Sequence, residues 1–266
     1  MDTEVAIETR AVASNPIIIT SIADTNTEGP FIAFGSKLYD EDFKVLGQTP
    51  DATVITVVAD PDDDGPYIAA GSRLYDGDFN IIGKTPDGTA ITAIGGSHHD
   101  GIYIAAGSKL YDSNFNLIGK TPDGALITAI GDSDRDGPFI GAGSKLYDGN
   151  FTLIGKTPDG ASIKLIADTE QDGPFIAAGP KLYNSNFELL GKIPSGATIN
   201  AMADSDKDGP YIAAGSQLYS EDFNLIGKTP DGSIITAIGD SSKDGPYIGA
   251  GSKLYSEDFR VLSYAP

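Results

Sequence analysis

The chain has 266 residues, with 38 acidic against 18 basic side chains and a formal net charge of −20 at pH 7. Nucleic acids and anionic membranes are polyanions that attract basic patches, so we expect neither as a partner. The sequence contains no cysteine, which excludes disulfides and thiolate chemistry and leaves the redox compartment open.

The first stretch of the chain, MDTEVAIETRAVASNP, precedes any internal repeat, and we predict it to be an N-terminal extension covering residues 1–16. It has no basic segment followed by an apolar run, so it is not a secretory signal as it stands. No apolar run in the chain is long enough to span a bilayer. A cytoplasmic protein and a processed secreted protein fit equally well.

One glycine returns every 36 residues and defines a sevenfold internal repeat. The seven positions are Gly29, Gly65, Gly101, Gly137, Gly173, Gly209 and Gly245. Proline follows this glycine in every copy except one, where Ile102 replaces it. A fixed period of this length is the signature of a repeat architecture, so every further inference is made per repeat.

Each repeat contains four short apolar runs separated by turn residues. In the unit 197–232 the runs are TINAMA, PYIAAG, QLYS and FNLIGK, and the segments between them are rich in Gly, Asp, Ser and Pro. Runs of this length are too short and too often interrupted for helices, and the turn residues suit hairpins. The unit is therefore predicted to be a four-stranded antiparallel meander.

Seven such units fill residues 17–264, and we predict an all-β, seven-bladed β-propeller that forms one domain over residues 17–266. Meanders arranged radially cover each other's apolar faces and leave no end unit exposed. A β-trefoil needs three units, and an open solenoid needs atypical terminal caps. The aliphatic runs such as 91–94 and 127–130 are expected to be innermost around the axis, and we predict a monomer.

The loop before each repeated glycine is the candidate metal site. Acids at its first, third and fifth positions can direct three oxygens to one Ca²⁺, which prefers six to eight oxygen ligands. The candidate ligands are Asp60, Asp62, Asp64, Asp132, Asp134, Asp136, Asp168, Glu170, Asp172, Asp204, Asp206 and Asp208, and the first loop has Asp24, Asn26 and Glu28. The seventh loop has Ser242 at its third position. The third loop has Gly96 and His98 at its first and third positions and keeps only Asp100 at its fifth.

In this form the loop resembles the Asp-x-Asp-x-Asp-Gly calcium loops of FG-GAP propellers, the integrin α-subunit type. The resemblance implies Ca²⁺ as a possible cofactor. Those loops have a further acid at position 9, where this chain has isoleucine, such as Ile212, and position 12 is Gly215. A solvated turn without metal is the alternative, because Asp is also a common turn residue.

Three aromatic series recur once per unit. A tyrosine ends the Lys-Leu-Tyr run, as Tyr39, Tyr75, Tyr111, Tyr147, Tyr183, Tyr219 and Tyr255. Another ring follows the Gly-Pro or Gly-Ile, as Phe31, Tyr67, Tyr103, Phe139, Phe175, Tyr211 and Tyr247. These rings could stack on sugars in clefts between blades, or they could form the packing between blades. A third series, which includes Phe43 and Phe79, is expected in the core.

Two further motifs are interpreted as structural and not as catalytic. Gly83-Lys84-Thr85 and its copies lack the upstream glycine and the helix that a phosphate loop needs, so we expect a strand end and a turn. His98 and His99 are the only histidines. Neither a Ser/His/Asp arrangement nor a zinc site can be assembled from this sequence, and we predict that the protein is not an enzyme.

The run Pro210–Tyr219 followed by Asn224-Leu-Ile-Gly resembles the blade of tachylectin-like propeller lectins. The resemblance implies a multivalent carbohydrate-binding protein with a shallow site between each pair of blades, at which the seven tyrosines would bind the ligand. The chain departs from that family in having no tryptophan. The alternative is a structural or protein-interaction scaffold without a small ligand, a class that includes engineered and recently amplified repeat proteins. The expected partner is thus a glycan or a protein.

Overall fold

The computed structural model describes residues 18–23, 29–60, 65–97, 101–133, 137–169, 173–203, 209–239 and 245–265. Within these ranges the chain forms seven four-stranded antiparallel sheets, each built from one sequence repeat in simple meander order. The all-β, seven-bladed propeller predicted from the glycine period is confirmed. The predicted extension 1–16 lies outside the described residues, so the domain boundary stays a prediction.

The first four blades follow the chain from its N-terminal end. Blade 1 contains β1 (Ile19–Ala23), β2 (Phe31–Phe34), β3 (Lys37–Tyr39) and β4 (Val45–Gln48). Blade 2 contains β5 (Ile55–Ala59), β6 (Tyr67–Ala70), β7 (Arg73–Tyr75) and β8 (Ile81–Lys84). Blade 3 contains β9 (Ile91–Ser97), β10 (Gly101–Ala106), β11 (Lys109–Tyr111) and β12 (Leu117–Lys120). Blade 4 contains β13 (Ile127–Ser133), β14 (Gly137–Ala142), β15 (Lys145–Tyr147) and β16 (Leu153–Lys156).

The remaining three blades repeat the same pattern. Blade 5 contains β17 (Ile163–Thr169), β18 (Gly173–Ala178), β19 (Lys181–Tyr183) and β20 (Leu189–Lys192). Blade 6 contains β21 (Ile199–Ala203), β22 (Tyr211–Ala214), β23 (Gln217–Tyr219) and β24 (Leu225–Lys228). Blade 7 contains β25 (Ile235–Gly239), β26 (Tyr247–Ala250), β27 (Lys253–Tyr255) and β28 (Val261–Tyr264).

The second and third strands of each blade are joined by a two-residue Gly-Ser or Gly-Pro turn. The glycine has positive φ, for example 63° at Gly35 and 62° at Gly215. A two-residue hairpin with positive φ at its first central position needs glycine there. The same turn also links the blades, because the amide of Ile55 in blade 2 donates to the carbonyl of Gly35 in blade 1 at 2.8 Å.

The first strands of the seven blades contact one another in succession, and β1 contacts β25, so the ring is closed. These strands lie innermost, as predicted. Threonine hydroxyls link them: Thr128 donates to the carbonyl of Ile163 in the next blade at 2.7 Å. At the closure, Thr236 of blade 7 donates to the carbonyl of Ile19 at the same distance. The inner strands of blades 7 and 1 thus repeat the threonine contact made between consecutive blades.

The core is divided into seven apolar clusters, one between each pair of adjacent blades. In the cluster between blades 1 and 2, Ala33 and Leu38 of blade 1 pack with Ile55, Ile68 and Tyr75 of blade 2. The second and third strands are buried along nearly their whole length, whereas the fourth strand is exposed. Burial of apolar area between blades therefore stabilises the ring and leaves the outer strands at the solvent-facing rim.

The third aromatic series was expected in the core, but the structure places it in a turn. Its phenylalanines do not belong to the outer strands but occupy the turn before them, and their backbone φ lies between 55° and 63°. They are half-buried and pack at the edge of the interblade clusters, not inside them. The seven residues are Phe43, Phe79, Phe115, Phe151, Phe187, Phe223 and Phe259. Positive φ is rare for a bulky residue, so a phenylalanine is not expected in such a turn. The sequence pattern therefore assigned it to the following strand.

Candidate functional site

Most of the predicted calcium ligands lie outside the described residues. Among them are Asp62, Asp64, Asp134, Asp136, Glu170, Asp172, Asp204, Asp206 and Asp208. Asp60 follows β5, and the backbones of Asp132 and Asp168 lie near the ends of β13 and β17. In the part of the chain that the structure describes, no group of three His, Cys, Asp or Glu side chains could hold a metal ion. Calcium binding by these loops therefore stays a prediction.

The Lys-Leu-Tyr tyrosines lie between the blades, where they are buried. Each of the seven is only 0 to 4% exposed. Six of the seven rings also contact the turn phenylalanine of their own blade, with centroids 5.5 to 6.4 Å apart. Burial raises the pKa of the Tyr39 and Tyr255 hydroxyls. This geometry favours the packing interpretation, and a sugar-binding role for these rings stays a prediction without a geometric observation behind it.

The second aromatic series is more accessible. Phe31, Tyr67, Tyr103, Phe139, Phe175 and Tyr211 are half-buried at the start of the second strand of each blade, and only Tyr247 is buried. Tyr247 donates its hydroxyl to Oε2 of Glu41 in blade 1, at 3.2 Å. If aromatic rings of this protein stack on a ligand, this series presents more surface than the buried tyrosines do.

The Gly-Lys-Thr-Pro motif is a strand end followed by a turn, as predicted. Lys84 is the last residue of β8, and Thr85 after it is buried. The Thr85 hydroxyl donates to the carbonyl of Thr89 at 2.7 Å, and the amide of Gly88 donates to the Thr85 carbonyl. Five buried threonines, Thr49, Thr85, Thr121, Thr157 and Thr229, occupy this position in the repeats. The motif thus shapes the connection between blades.

An ion pair bridges each of five interblade connections to the third strand of the following blade. Lys109 donates to Asp87 at 2.7 Å. That bond, together with the Thr89 amide, holds the pKa of the Asp87 carboxyl well below its usual range. The other pairs are Asp51–Arg73, Asp123–Lys145, Asp159–Lys181 and Asp231–Lys253. The sixth repeat has Ser195 and Gln217 at these two places, so both partners changed together.

The rim of the ring carries exposed aliphatic side chains on every blade. Each outer strand begins with two adjacent aliphatic residues whose exposure lies between 36 and 58%. The pairs are Val45-Leu46, Ile81-Ile82, Leu117-Ile118, Leu153-Ile154, Leu189-Leu190, Leu225-Ile226 and Val261-Leu262. The outer strand is the last strand of its sheet, so its outward edge has no paired strand within the sheets described. Each rim segment therefore combines an apolar surface with an open strand edge.

One groove on this rim lies where blades 6 and 7 meet. The groove between blades 6 and 7 has a volume of about 390 Å³ and is lined by Ile226, Gly227, Lys228, Glu257, Asp258 and Phe259. The ring of Phe259 covers Gly227, and the same phenylalanine–glycine contact occurs at five other blade boundaries. Sequence reasoning missed this surface. The available signal was the pair of adjacent aliphatics in each fourth run, because a strand with one solvated face alternates instead.

No known sequence family matches the chain. No curated protein sequence is similar to it either. Among solved structures, Raptor of Chaetomium thermophilum aligns over 89% of this chain and 27% of its own length, with a TM-score of 0.68 and 10% identity. PorZ of Porphyromonas gingivalis, an essential bacterial surface component of the type-IX secretion system, aligns over 91% of this chain and 37% of its own, with a TM-score of 0.63 and 13% identity.

These similarities support the class to which the chain belongs, the seven-bladed β-propellers. The chain corresponds to about a third or less of the length of either protein, and at these identities the similarity concerns the fold alone. The fold is consistent with a binding or scaffold module. No helix among the described residues is long and apolar enough to cross a bilayer.

Proposed function

We propose that this chain is a non-enzymatic binding module and that its ligand is a protein that docks on the rim of the propeller. The observation that carries this proposal is the aliphatic pair exposed on every outer strand. Contiguous exposed apolar surface on a soluble protein commonly marks an interaction site. An unpaired strand edge adds main-chain hydrogen-bonding groups, which extended peptides use to join a sheet.

The near-identity of the blades supports a binding role rather than catalysis. Several carboxylates of the described turns accept hydrogen bonds from backbone amides. Oδ1 of Asp76 accepts from the amides of Asp78 and Asn80, and Oδ1 of Asp112 accepts from the amides of Asn114 and Asn116. Such carboxylates stabilise turns. Repeated weak sites on one rigid ring gain avidity when a partner engages several of them.

The test is selection of peptides from a random display library on the immobilised protein, followed by affinity measurements on two variants. The rim variant replaces the first aliphatic residue of each outer strand with threonine, which keeps strand propensity while shortening the apolar side chain. Its substitutions fall at Val45, Ile81, Leu117, Leu153, Leu189, Leu225 and Val261. The control variant places threonine at Val54, Leu126 and Ile234, aliphatics of similar exposure that lie outside the outer strands.

Selected peptides are expected to bind the rim variant at least tenfold more weakly than the natural protein and to bind the control variant within twofold. Circular dichroism establishes that both variants keep the fold. Failure to enrich any peptide, or equal binding to both variants, would contradict the proposal.

A multivalent lectin with sites repeated between blades is the second candidate. Its support is the half-exposed second aromatic series, since rings such as Phe139 and Phe175 could stack on a sugar face. A glycan array run with and without EDTA tests this candidate and the role of calcium together. Binding of a defined glycan class that substitution of Phe139 and Phe175 by alanine removes would favour the lectin over the protein-binding module.

A further inference from the structure

The rim is not electrically uniform, although the fold is nearly symmetric. Two residues precede the turn phenylalanine in each blade, and we call this pair the rim turn. Three rim turns carry two adjacent acids: Glu41-Asp42, Glu221-Asp222 and Glu257-Asp258. Three others carry none: Ser113-Asn114, Gly149-Asn150 and Ser185-Asn186. The remaining rim turn, Gly77-Asp78, has one acid.

Closure of the ring brings the three doubly acidic rim turns together. They belong to blades 6, 7 and 1, and blade 7 meets blade 1 because Ile19 donates its amide to the carbonyl of Gly251 at 2.8 Å. The uncharged rim turns belong to blades 3, 4 and 5 on the opposite part of the ring. All six acids of the three doubly acidic rim turns are exposed. One continuous arc of the rim is therefore acidic.

The acids of this arc stand beside the apolar strand edge. In the groove between blades 6 and 7, Glu257 and Asp258 of blade 7 line the same space as Ile226 and Lys228 of β24. One lysine thus faces two carboxylates there. At the seam, the Ser263 hydroxyl of blade 7 donates to the backbone carbonyl of Glu41 at 2.8 Å, so this rim turn is held against the neighbouring outer strand.

Two of the glutamates lie close to the repeated glycine that precedes the second strand of their own blade. Glu221 and Glu257 lie against Gly209 and Gly245, where any side chain would collide with or crowd the glutamate. In blade 4 the equivalent turn residue is Gly149, which faces Pro138 instead. The paired acids therefore belong to one arc, whereas the phenylalanine–glycine contact beside the groove recurs at six blade boundaries.

We propose that the rim of blades 6, 7 and 1, including the groove between blades 6 and 7, binds an extended, basic segment of a partner protein, which pairs with the outer strand and places Lys or Arg side chains against the paired acids. The inference rests on the proposed rim-binding function and adds the partner's chemistry to it. Main-chain pairing with a strand edge supplies affinity that depends little on sequence. The acids select a basic partner and raise its association rate.

The experiment measures binding of fluorescein-labelled peptides by fluorescence anisotropy. The probes are peptides of alternating Arg and Val, of alternating Thr and Val, and of alternating Arg and Ser. The first can pair as a basic strand with an apolar face, the second lacks the charge, and the third lacks the apolar face.

Two protein variants have the same net charge: one neutralises four acids of the arc, and the other adds four lysines on the opposite part of the rim. The arc variant carries Glu221→Gln, Asp222→Asn, Glu257→Gln and Asp258→Asn. The matched control carries Ser113→Lys, Asn114→Lys, Ser185→Lys and Asn186→Lys, in two rim turns that contain no acid. Both leave the seam residue Glu41 unchanged.

The Arg-Val peptide is expected to bind the arc variant at least fivefold more weakly than the natural protein and the control within twofold. Adding Ser113→Glu and Asn114→Asp to the arc variant is expected to recover binding. Equal weakening in both variants would reduce the effect to general attraction by an acidic protein and overturn the proposal. Equally tight Arg-Ser binding would overturn it too, because no strand pairing would be involved.

The peptide measurements distinguish an error in the partner's charge from an error in the rim-binding function. If the Thr-Val peptide binds as tightly as the Arg-Val peptide and is lost in the rim variant, the basic partner is wrong and the rim function stands. If neither Val-containing peptide binds at all, the rim function itself is contradicted.

Discussion

The ring of Phe151 lies over Gly119 of the preceding blade, with its Cδ2 and Cε2 atoms 2.6 Å from where a Cβ would stand on that glycine. Phe151 has a φ of 61°, a conformation that costs a non-glycine residue of the order of 1–3 kcal/mol. Burial of the ring over the glycine offsets that cost. The Phe-x-Leu-Ile-Gly motif therefore works across a blade boundary: the phenylalanine of one repeat needs the glycine of the previous one.

Replacing Gly119 with alanine is the direct test of this contact. The added methyl group would overlap the Phe151 ring, so we expect a loss of about 1–3 kcal/mol in the free energy of unfolding, typical of overpacking. In a Phe151→Ala background the same substitution should cost much less, because the obstacle is gone. Denaturant unfolding of the four proteins of this double-mutant cycle gives the coupling, and additive effects would contradict the pairing.

The seam between blades 7 and 1 differs from the other boundaries. Ser263 stands where the other outer strands have glycine, and Phe43 lies closer to Tyr39, at 5.5 Å between ring centroids compared with 6.2 to 6.4 Å in five other blades. The side chain of Ser263 accounts for this shift, because its Cβ takes the space that the ring uses elsewhere. Its hydroxyl compensates through the bond to the Glu41 carbonyl.

Ser263→Ala is therefore expected to loosen the seam specifically. Loss of a hydrogen bond worth about 0.5–1.5 kcal/mol should speed local opening two- to tenfold. Hydrogen exchange can follow the Ile19 amide, which bonds to Gly251 across the seam, against the Ile127 amide, which makes the equivalent bond to Gly107. Faster exchange at Ile19 alone is the expected result. Equal acceleration at both amides would show that the serine acts on global stability instead.

The fold could be predicted from the sequence because its determinants recur. The repeated glycine fixed the number of units, and the turn residues between apolar runs fixed four strands per unit. The position of Phe151 could not be predicted, since its φ is set by a contact with another repeat. The acidic arc is visible in the aligned rim turns, but its continuity appears only when blade 7 meets blade 1. Burial of the tyrosines likewise depends on how the blades approach one another.

The Asp87–Lys109 pair makes stability depend on pH at the acidic end. The Lys109 ammonium and the Thr89 amide hold the pKa of Asp87 below the value of about 3.9 expected in the unfolded chain. A carboxyl with a depressed pKa in the folded state contributes stability above the unfolded pKa and loses it as pH falls through the folded pKa. The carboxyl pKa values of Asp123, Asp159 and Asp231 are lowered in the same way, each by the lysine paired with it.

Asp87→Asn should therefore be less stable than the natural protein at pH 5, and the difference should shrink as the pH approaches 2. Asparagine can still accept from the Thr89 amide, so the comparison isolates the charge. Because both partners are substantially exposed, the difference should be small and should also shrink in 1 M NaCl. Thermal melts at matched ionic strength provide the measurement. A difference that is constant from pH 5 to pH 2 would contradict the linkage.

Ring closure predicts that deleting one repeat damages the protein far more than altering one acidic loop. Removal of residues 125–160 forces six blades to close around a ring whose interblade contacts repeat sevenfold, so every boundary must change. A single-residue substitution leaves all seven interblade boundaries in place. We expect a large fall in melting temperature, or no cooperative transition, for the six-repeat protein and a shift of a few degrees at most for Asp206→Ala. Similar melting temperatures would refute this.

If the acidic loops bind calcium, their affinities should follow the number of oxygen ligands in each loop. The five loops with oxygen ligands from Asp, Asn or Glu at all three positions, which begin at Asp24, Asp60, Asp132, Asp168 and Asp204, should bind, and the seventh should bind more weakly. The third loop, with His98 at its third position and no acid at its first, should not bind. Because isoleucine occupies position 9 in every loop, waters or backbone carbonyls must complete each coordination shell. Affinity should then be near ~10⁻⁴ to 10⁻³ M, as in weak extracellular sites.

Calorimetry at matched ionic strength, comparing Ca²⁺ with Mg²⁺, separates specific binding from charge screening. At a net charge of −20 both ions reduce the repulsion among the acids. Specific binding is therefore indicated only by the heat that Ca²⁺ releases beyond that of Mg²⁺. Replacing Asp134 and Asp206 with alanine should remove two of the five stronger sites, whereas replacing His98 and His99 should remove none. If ~5 mM Ca²⁺, well above that weak-site range, gives neither excess heat nor a specific rise in melting temperature, the acids act as turn formers alone.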